Sequence, residues 1–151
     1  MKPLLFTIGL LLGSFGLSAF AQKATHEPKH IQLQEIITSV SVNDDIDIVL
    51  TDSKANELLV DGNPKAVSVF VNDGHLQLAK TQQTAGVVKI YVPAAYVSKV
   101  FMNGTGELSS SAVLSGSRLK IVLAGESKIA LRSTGNVTVE AVDDIQFVKS
   151  R

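Results

Sequence analysis

From Ile31 onward, apolar side chains fall on every second position. Val40 and Val42 alternate with serines, and Ile46, Ile48 and Leu50 follow after Asn43-Asp44, a turn signal. Period-two alternation predicts strands buried on one face. Further strands are predicted near Leu58 to Val60, Val67 to Val71, His75 to Ala79 and Val87 to Pro93. Asp61-Gly62-Asn63-Pro64 breaks the first of these from the second. Asn72-Asp73-Gly74 joins the second to the third with the residue types of a tight hairpin. Beyond the amino-terminal apolar segment, no stretch of ten or more residues carries a 3.6-residue period, so the domain is predicted to be all-β.

The carboxy-terminal half repeats. "SKVFMNGTGELSS" (Ser98 to Ser110) lies over "LKIVLAGESKIAL" (Leu119 to Leu131) with Lys99 on Lys120, Val100 on Ile121, Met102 on Leu123, Gly104 on Gly125 and Leu108 on Ile129. "STGNVTVEA" (Ser133 to Ala141) is a fainter third copy. Repeats of about this length mark supersecondary units that must stack to bury an apolar face. Gly104, Gly106, Gly116, Gly125 and Gly135 are the expected corners. The expected architecture is a parallel β-solenoid, a stack of short strands with glycine corners. A leucine-rich repeat fits less well, because the units lack its asparagine and a helical return segment.

Glycine-rich corners also cradle phosphates. Gly104-Thr105-Gly106, however, is followed by Glu107 and another strand. It has neither the third glycine of a dinucleotide loop nor the lysine of a phosphate loop, so it reads as a corner.

The amino terminus changes the compartment. Lys2 precedes the apolar run Leu4 to Leu12, and Ala19 and Ala21 stand where a signal peptidase requires small residues. The run is shorter than a membrane span and is broken by Gly13, Ser14, Gly16 and Ser18. Cleavage between Ala21 and Gln22 is expected. Residues 1–21 are then a signal peptide, 22–30 a flexible leader and 31–151 a single β domain of ordinary size. An exported protein is expected, in the periplasm or on the cell surface. No cysteine is present, which excludes both disulfides and a lipid anchor on cysteine. The 14 basic residues balance the 14 acidic ones, which argues against nucleic acid and against anionic membrane as partners.

Candidate chemistry is sparse. Asp44, Asp45, Asp47 and Asp52 cluster in "NDDIDIVLTD", with Asp45 and Asp47 expected on one strand face. They could hold calcium, but no further ligands accompany them, and charged edge strands are common. His26 and His30 have a metal-like spacing that Pro28 interrupts. His75 has no assignable partner for general-base work. Ser109-Ser110-Ser111 lacks the setting of a nucleophile, and Asn136-Val137-Thr138 is a glycosylation sequon by pattern alone. Glu107, Glu126 and Lys128 are expected to face solvent. No catalytic residue, metal site or cofactor is assigned.

The succession "SVSVNDDIDIVLTDS", "NELLVDGNPKAVSVFVNDGHLQLAK", "VVKIYVPAAYVSKVFMNGTGEL" and "LKIVLAGESKIAL" resembles the head GIN domain, the auto-transporter adhesin domain of Gram-negative bacteria. The resemblance covers Gln34 to Val139. Asp45-Ile46-Asp47 stands where the family's Gly-Ile-Asn triplet falls, and only Ile46 matches. The resemblance implies a right-handed β-solenoid or β-helix-like fold and an adhesin-like or surface-binding role. With the repeated scaffold, balanced charge and no catalytic cluster, the expected function is an exported, non-catalytic module that presents a rigid β surface to a protein or glycan of the cell envelope. The alternative is a polysaccharide-acting enzyme using Asp45 and Asp47. Self-assembly through exposed ends of the stack is a further possibility, with "VDDIQFVKSR" at the carboxy terminus as an expected cap.

Overall fold

The computed structural model describes residues 27–82, 86–116 and 118–142. The expected cleavage site at Ala21 and Gln22, His26 and the body of the expected cap lie outside these residues. Twelve strands are described: β1 (Lys29–Gln32), β2 (Ser39–Asn43), β3 (Ile46–Thr51), β4 (Glu57–Asp61), β5 (Val67–Asn72), β6 (His75–Lys80), β7 (Val88–Pro93), β8 (Lys99–Asn103), β9 (Glu107–Ser110), β10 (Arg118–Ala124), β11 (Lys128–Ala130) and β12 (Asn136–Ala141). A single turn of 3₁₀ helix, Pro64–Ala66, follows the break at Asn63, whose side chain accepts from the Lys65 amide.

The strands form two six-stranded sheets. The first has the order β1-β4-β7-β3-β9-β11 and the second β12-β10-β8-β2-β6-β5. The strands flanking each corner alternate between the sheets. β2 turns into β3, β8 into β9 and β10 into β11, so neighbours in the second sheet lead to neighbours in the first. The ladders β6-β2-β8-β10-β12 and β7-β3-β9-β11 are parallel throughout.

The sheets are mixed rather than uniformly parallel. β4 runs against β7 and β1, and β5 runs against β6 through the Asn72-Asp73-Gly74 hairpin. A two-residue turn joins neighbouring strands only in the antiparallel sense, so a wholly parallel stack cannot contain that hairpin. β1 was not anticipated. It begins at Lys29, inside the expected leader, and of its four residues only Ile31 is even half-buried.

The two sheets enclose one aliphatic core. Val40, Leu76, Val100 and Ile121 form one row across the second sheet, and Ile48, Ile90 and Leu108 form a row across the first. None of these side chains exposes more than 1% of its surface. The repeat register expected from the sequence holds at every position: Lys99 opposite Lys120, Val100 opposite Ile121, Met102 opposite Leu123 and Leu108 opposite Ile129. The faint third copy supplies β12, whose Val137 and Val139 lie beside Leu119 and Ile121.

Candidate functional site: the corner ridge and the outer faces

The glycines of the first repeated corner pack against backbone. A Cβ at Gly104 would strike the Asp44 carbonyl, and one at Gly106 would strike the Ile46 carbonyl. Gly104 also has φ +146°, which side-chain-bearing residues rarely adopt. Gly-Thr-Gly is therefore a corner laid directly on the Asp44-Asp45 corner and the start of β3 in the neighbouring layer. Gly125 continues the stack, since a Cβ there would lie 2.8 Å from the Gly104 carbonyl oxygen. Gly116, in the connection between Leu114 and β10, has open space around it and no close packing to a neighbouring layer.

The acidic cluster is built into the same ridge. The Lys80 amide donates to Asp44 Oδ2 (3.1 Å), and the Glu107 amide donates to Asp47 Oδ1 (2.9 Å). Asp52 Oδ1 accepts from the Ser115 hydroxyl (2.8 Å) and from its amide (3.4 Å). Asp45 lies in the corner rather than on the strand, and its Oδ1 is 2.7 Å from Lys80 Nζ. Hydrogen bonding to Lys80 holds the Asp45 carboxyl below its ordinary value, against a smaller opposing effect of burial. Asp45 and Asp47 thus serve different partners and do not converge on one point. A shallow depression of about 110 Å³ lies over Asp44, Asp45 and Lys80. Among the described residues no three His, Asp or Glu side chains gather as a metal site would require.

The other sequence candidates are also placed. Ser39 Oγ lies 2.7 Å from His75 Nδ1, a partner the sequence did not reveal because 36 residues separate the two. The parallel register of β2 and β6 makes Ser39 and His75 direct neighbours on the outer face. Across the strands this row continues through Lys99 and Lys120, so it sets cations rather than a carboxylate beside the pair. The serine run joins layers: Ser110 Oγ accepts from the Arg132 amide (3.0 Å), and the Ser111 amide donates to the Leu50 carbonyl (3.0 Å). His30 contacts Glu57 across the β1–β4 ladder. Asn136 opens β12 and is exposed, as are Glu107, Glu126 and Lys128. Ser127, between the last two, is instead buried and donates to the Gly104 carbonyl (3.0 Å).

What the molecule offers outward is the pair of broad sheet faces. Outward positions of the first sheet carry Asp47, Glu57, Asp61 and Glu107 against Lys89 and Lys128. Those of the second carry Lys99, Arg118 and Lys120 against Glu140. Large apolar side chains also stand out in solvent, among them Phe70 and Tyr96. Tyr96 and Ile36 border a depression of about 120 Å³ on the loops at one end of the sheets.

The fold and its ridge define an all-β domain whose connections are spent on holding layers together. Residues 37–147 match the family model described as "Putative auto-transporter adhesin, head GIN domain". The chain belongs to that family. Among solved structures it is similar to a putative adhesin from Bacteroides fragilis NCTC 9343, with 18% identity and a TM-score of 0.56 over 75% of this chain and 60% of that one. It is also similar to a putative lipid binding protein from Parabacteroides distasonis ATCC 8503, with 15% identity and a TM-score of 0.50 over 76% of this chain and 59% of that one. At these identities the likeness concerns the fold. The chain spans about three fifths of the length of these structures. No curated protein matches it. Among the described residues, no helix is long and apolar enough to cross a membrane.

Proposed function

We propose that this protein is an exported, non-catalytic, adhesin-like module that presents a rigid β surface to a partner in the cell envelope or outside the cell. Family membership supports the adhesin-like character. The observation that carries the reading is the internal use of the corner carboxylates. Asp44, Asp47 and Asp52 accept hydrogen bonds from groups of neighbouring layers, so this acidic cluster serves the scaffold. The outer sheet faces are what remains for recognition.

Stacked layers with common register support a solenoid-like reading of the parallel part. Parallel crossovers are right-handed almost without exception, so the coil is expected to be right-handed. The "MKPLLFTIGLLLGSFGLSAFAQ" segment supports export, with cleavage between Ala21 and Gln22 and a single β domain thereafter.

Two measurements test this reading. Amino-terminal sequencing of the protein recovered from a Gram-negative host should begin at Gln22, and an uncleaved start at Met1 in the cytosol would refute export. Immobilised protein should retain a specific component from solubilised cell envelope. A retained fraction indistinguishable from that on a blank matrix would count against an adhesin-like role.

A further inference from the structure

The second sheet carries one unbroken outward row. Phe70 on β5 faces Gln77 on β6, Gln77 faces Ser41 on β2, and Ser41 faces Phe101 on β8, beyond which the row runs through Val122 on β10 to Glu140 on β12. Phe70 is 56% exposed, Gln77 is exposed, and Ser41 and Phe101 are half-buried. Three ladder steps put the backbones that carry the two rings about 14 Å apart on one face of the sheet. The row between them holds only a hydroxyl and an amide.

Two separated rings with polar groups between them do not make the contiguous apolar centre of a protein interface. They do match a chain of pyranose rings. Each sugar has an apolar C–H face that lies flat on an aromatic ring, and an edge of hydroxyls that pairs with amides and hydroxyls. Ladder pairing, antiparallel between β5 and β6 and parallel from β6 through β2 to β8, fixes this spacing, because the backbones under both rings belong to one sheet.

The charge beside the strip selects among glycans. Lys99 lies two residues before Phe101 on the same face, about 7 Å away, and is the direct neighbour of Lys120. Lys120 is paired with Glu140 (2.9 Å), whereas Lys99 has no ionic partner among the described residues. Cations exceed anions on this face, and the reverse holds on the opposite sheet. An unpaired ammonium at the edge of an aromatic strip complements a sugar carboxylate.

We propose that the outer face of the second sheet binds a linear acidic polysaccharide, with pyranose faces on Phe70 and Phe101, hydroxyls on Gln77 and Ser41, and a uronate carboxylate at Lys99. The site rests on the adhesin-like reading and gives it a surface and a ligand class. Sodium polygalacturonate is the probe, with methyl-esterified polygalacturonate as its uncharged counterpart. Affinity electrophoresis or calorimetry with the full chain should show binding to the acid form that weakens with added salt. Phe70→Ala, Phe101→Ala and Lys99→Glu should each weaken it about tenfold or more, and Tyr91→Ala on the other sheet should leave it unchanged. Phe70 is largely exposed, so Phe70→Ala carries the aromatic test even if Phe101→Ala fails to fold. Binding indifferent to all three changes overturns the surface. Equal binding to phosphatidylglycerol vesicles or to DNA overturns the ligand class, because it reveals general attraction to polyanions. No binding to polygalacturonate while cell-envelope material is still retained overturns this site and leaves the adhesin-like reading standing. Failure of both removes both.

Discussion

Val100 on β8 and Ile121 on β10 are direct partners in a parallel ladder, and neither side chain exposes any surface. They sit in a row that Val40 and Leu76 extend on one side and Val139 on the other. Such a row joins layers that no single strand could stabilise. Each strand buries only its inward side chains, and the neighbouring layers complete the enclosure.

Truncating this row should therefore cost what a core cavity costs. Ile121→Ala is expected to destabilise by about 2–5 kcal/mol. Val100→Ala combined with it should depart from additivity, since the two share one cavity. Urea unfolding of the two single variants and the double variant measures both terms, and strict additivity would show that the side chains do not touch.

Gly106 and Gly116 are one residue type in two physical situations. A methyl group at Gly106 would meet the Ile46 carbonyl, so Gly106→Ala should destabilise by about 1–3 kcal/mol or more. Gly116 has open space around it. Gly116→Ala should be neutral or stabilise by about 0.4–1 kcal/mol, because alanine restricts the unfolded chain. Thermal melts of the two variants should move in clearly different directions or by clearly different amounts.

Asp47 holds the start of β9 through the Glu107 amide. Asp47→Ala should cost about 1.5–3 kcal/mol, the range for a hydrogen bond to a charged group. Asp47→Asn keeps an acceptor oxygen and should recover part of that loss. If both variants melt with the wild type, the contact contributes nothing.

Lys80 holds the Asp45 carboxyl below its ordinary value. A carboxyl depressed in the folded state adds stability above its unfolded pKa, and the gain is lost as pH falls through the folded value. The stability difference between wild type and Asp45→Asn should be level above about pH 5 and shrink as pH falls below the ordinary aspartate range. Lys80 keeps only 8% of its side chain exposed, so the wild type should be the more stable at neutral pH. A difference that grew on acidification would contradict this pairing.

Much of the fold is legible in the chain itself. Strand positions follow from alternation, because a side-chain period of two admits only one way to bury Ile46, Ile48 and Leu50 together. The β8–β10 register is legible because two similar segments place Lys99, Val100 and Met102 over Lys120, Ile121 and Leu123. β1 was not legible, since "KHIQ" offers one apolar residue and no alternation. Nor was the work of the acidic cluster. Asp47 meets the Glu107 amide across 60 residues, and only the closing of layers brings them together. The Ser39–His75 contact has the same origin.

By itself the sequence determined an all-β chain, its turns, its repeat and the aliphatic side of each strand, because these depend on backbone preference and local spacing. Only the tertiary structure decided that the β2–β3 layer sits between the β6–β7 and β8–β9 layers, and that β4 and β5 run against their neighbours. Closing a loop costs nearly the same for many competing partners. The choice among them therefore falls to packing that exists only when the whole core is assembled.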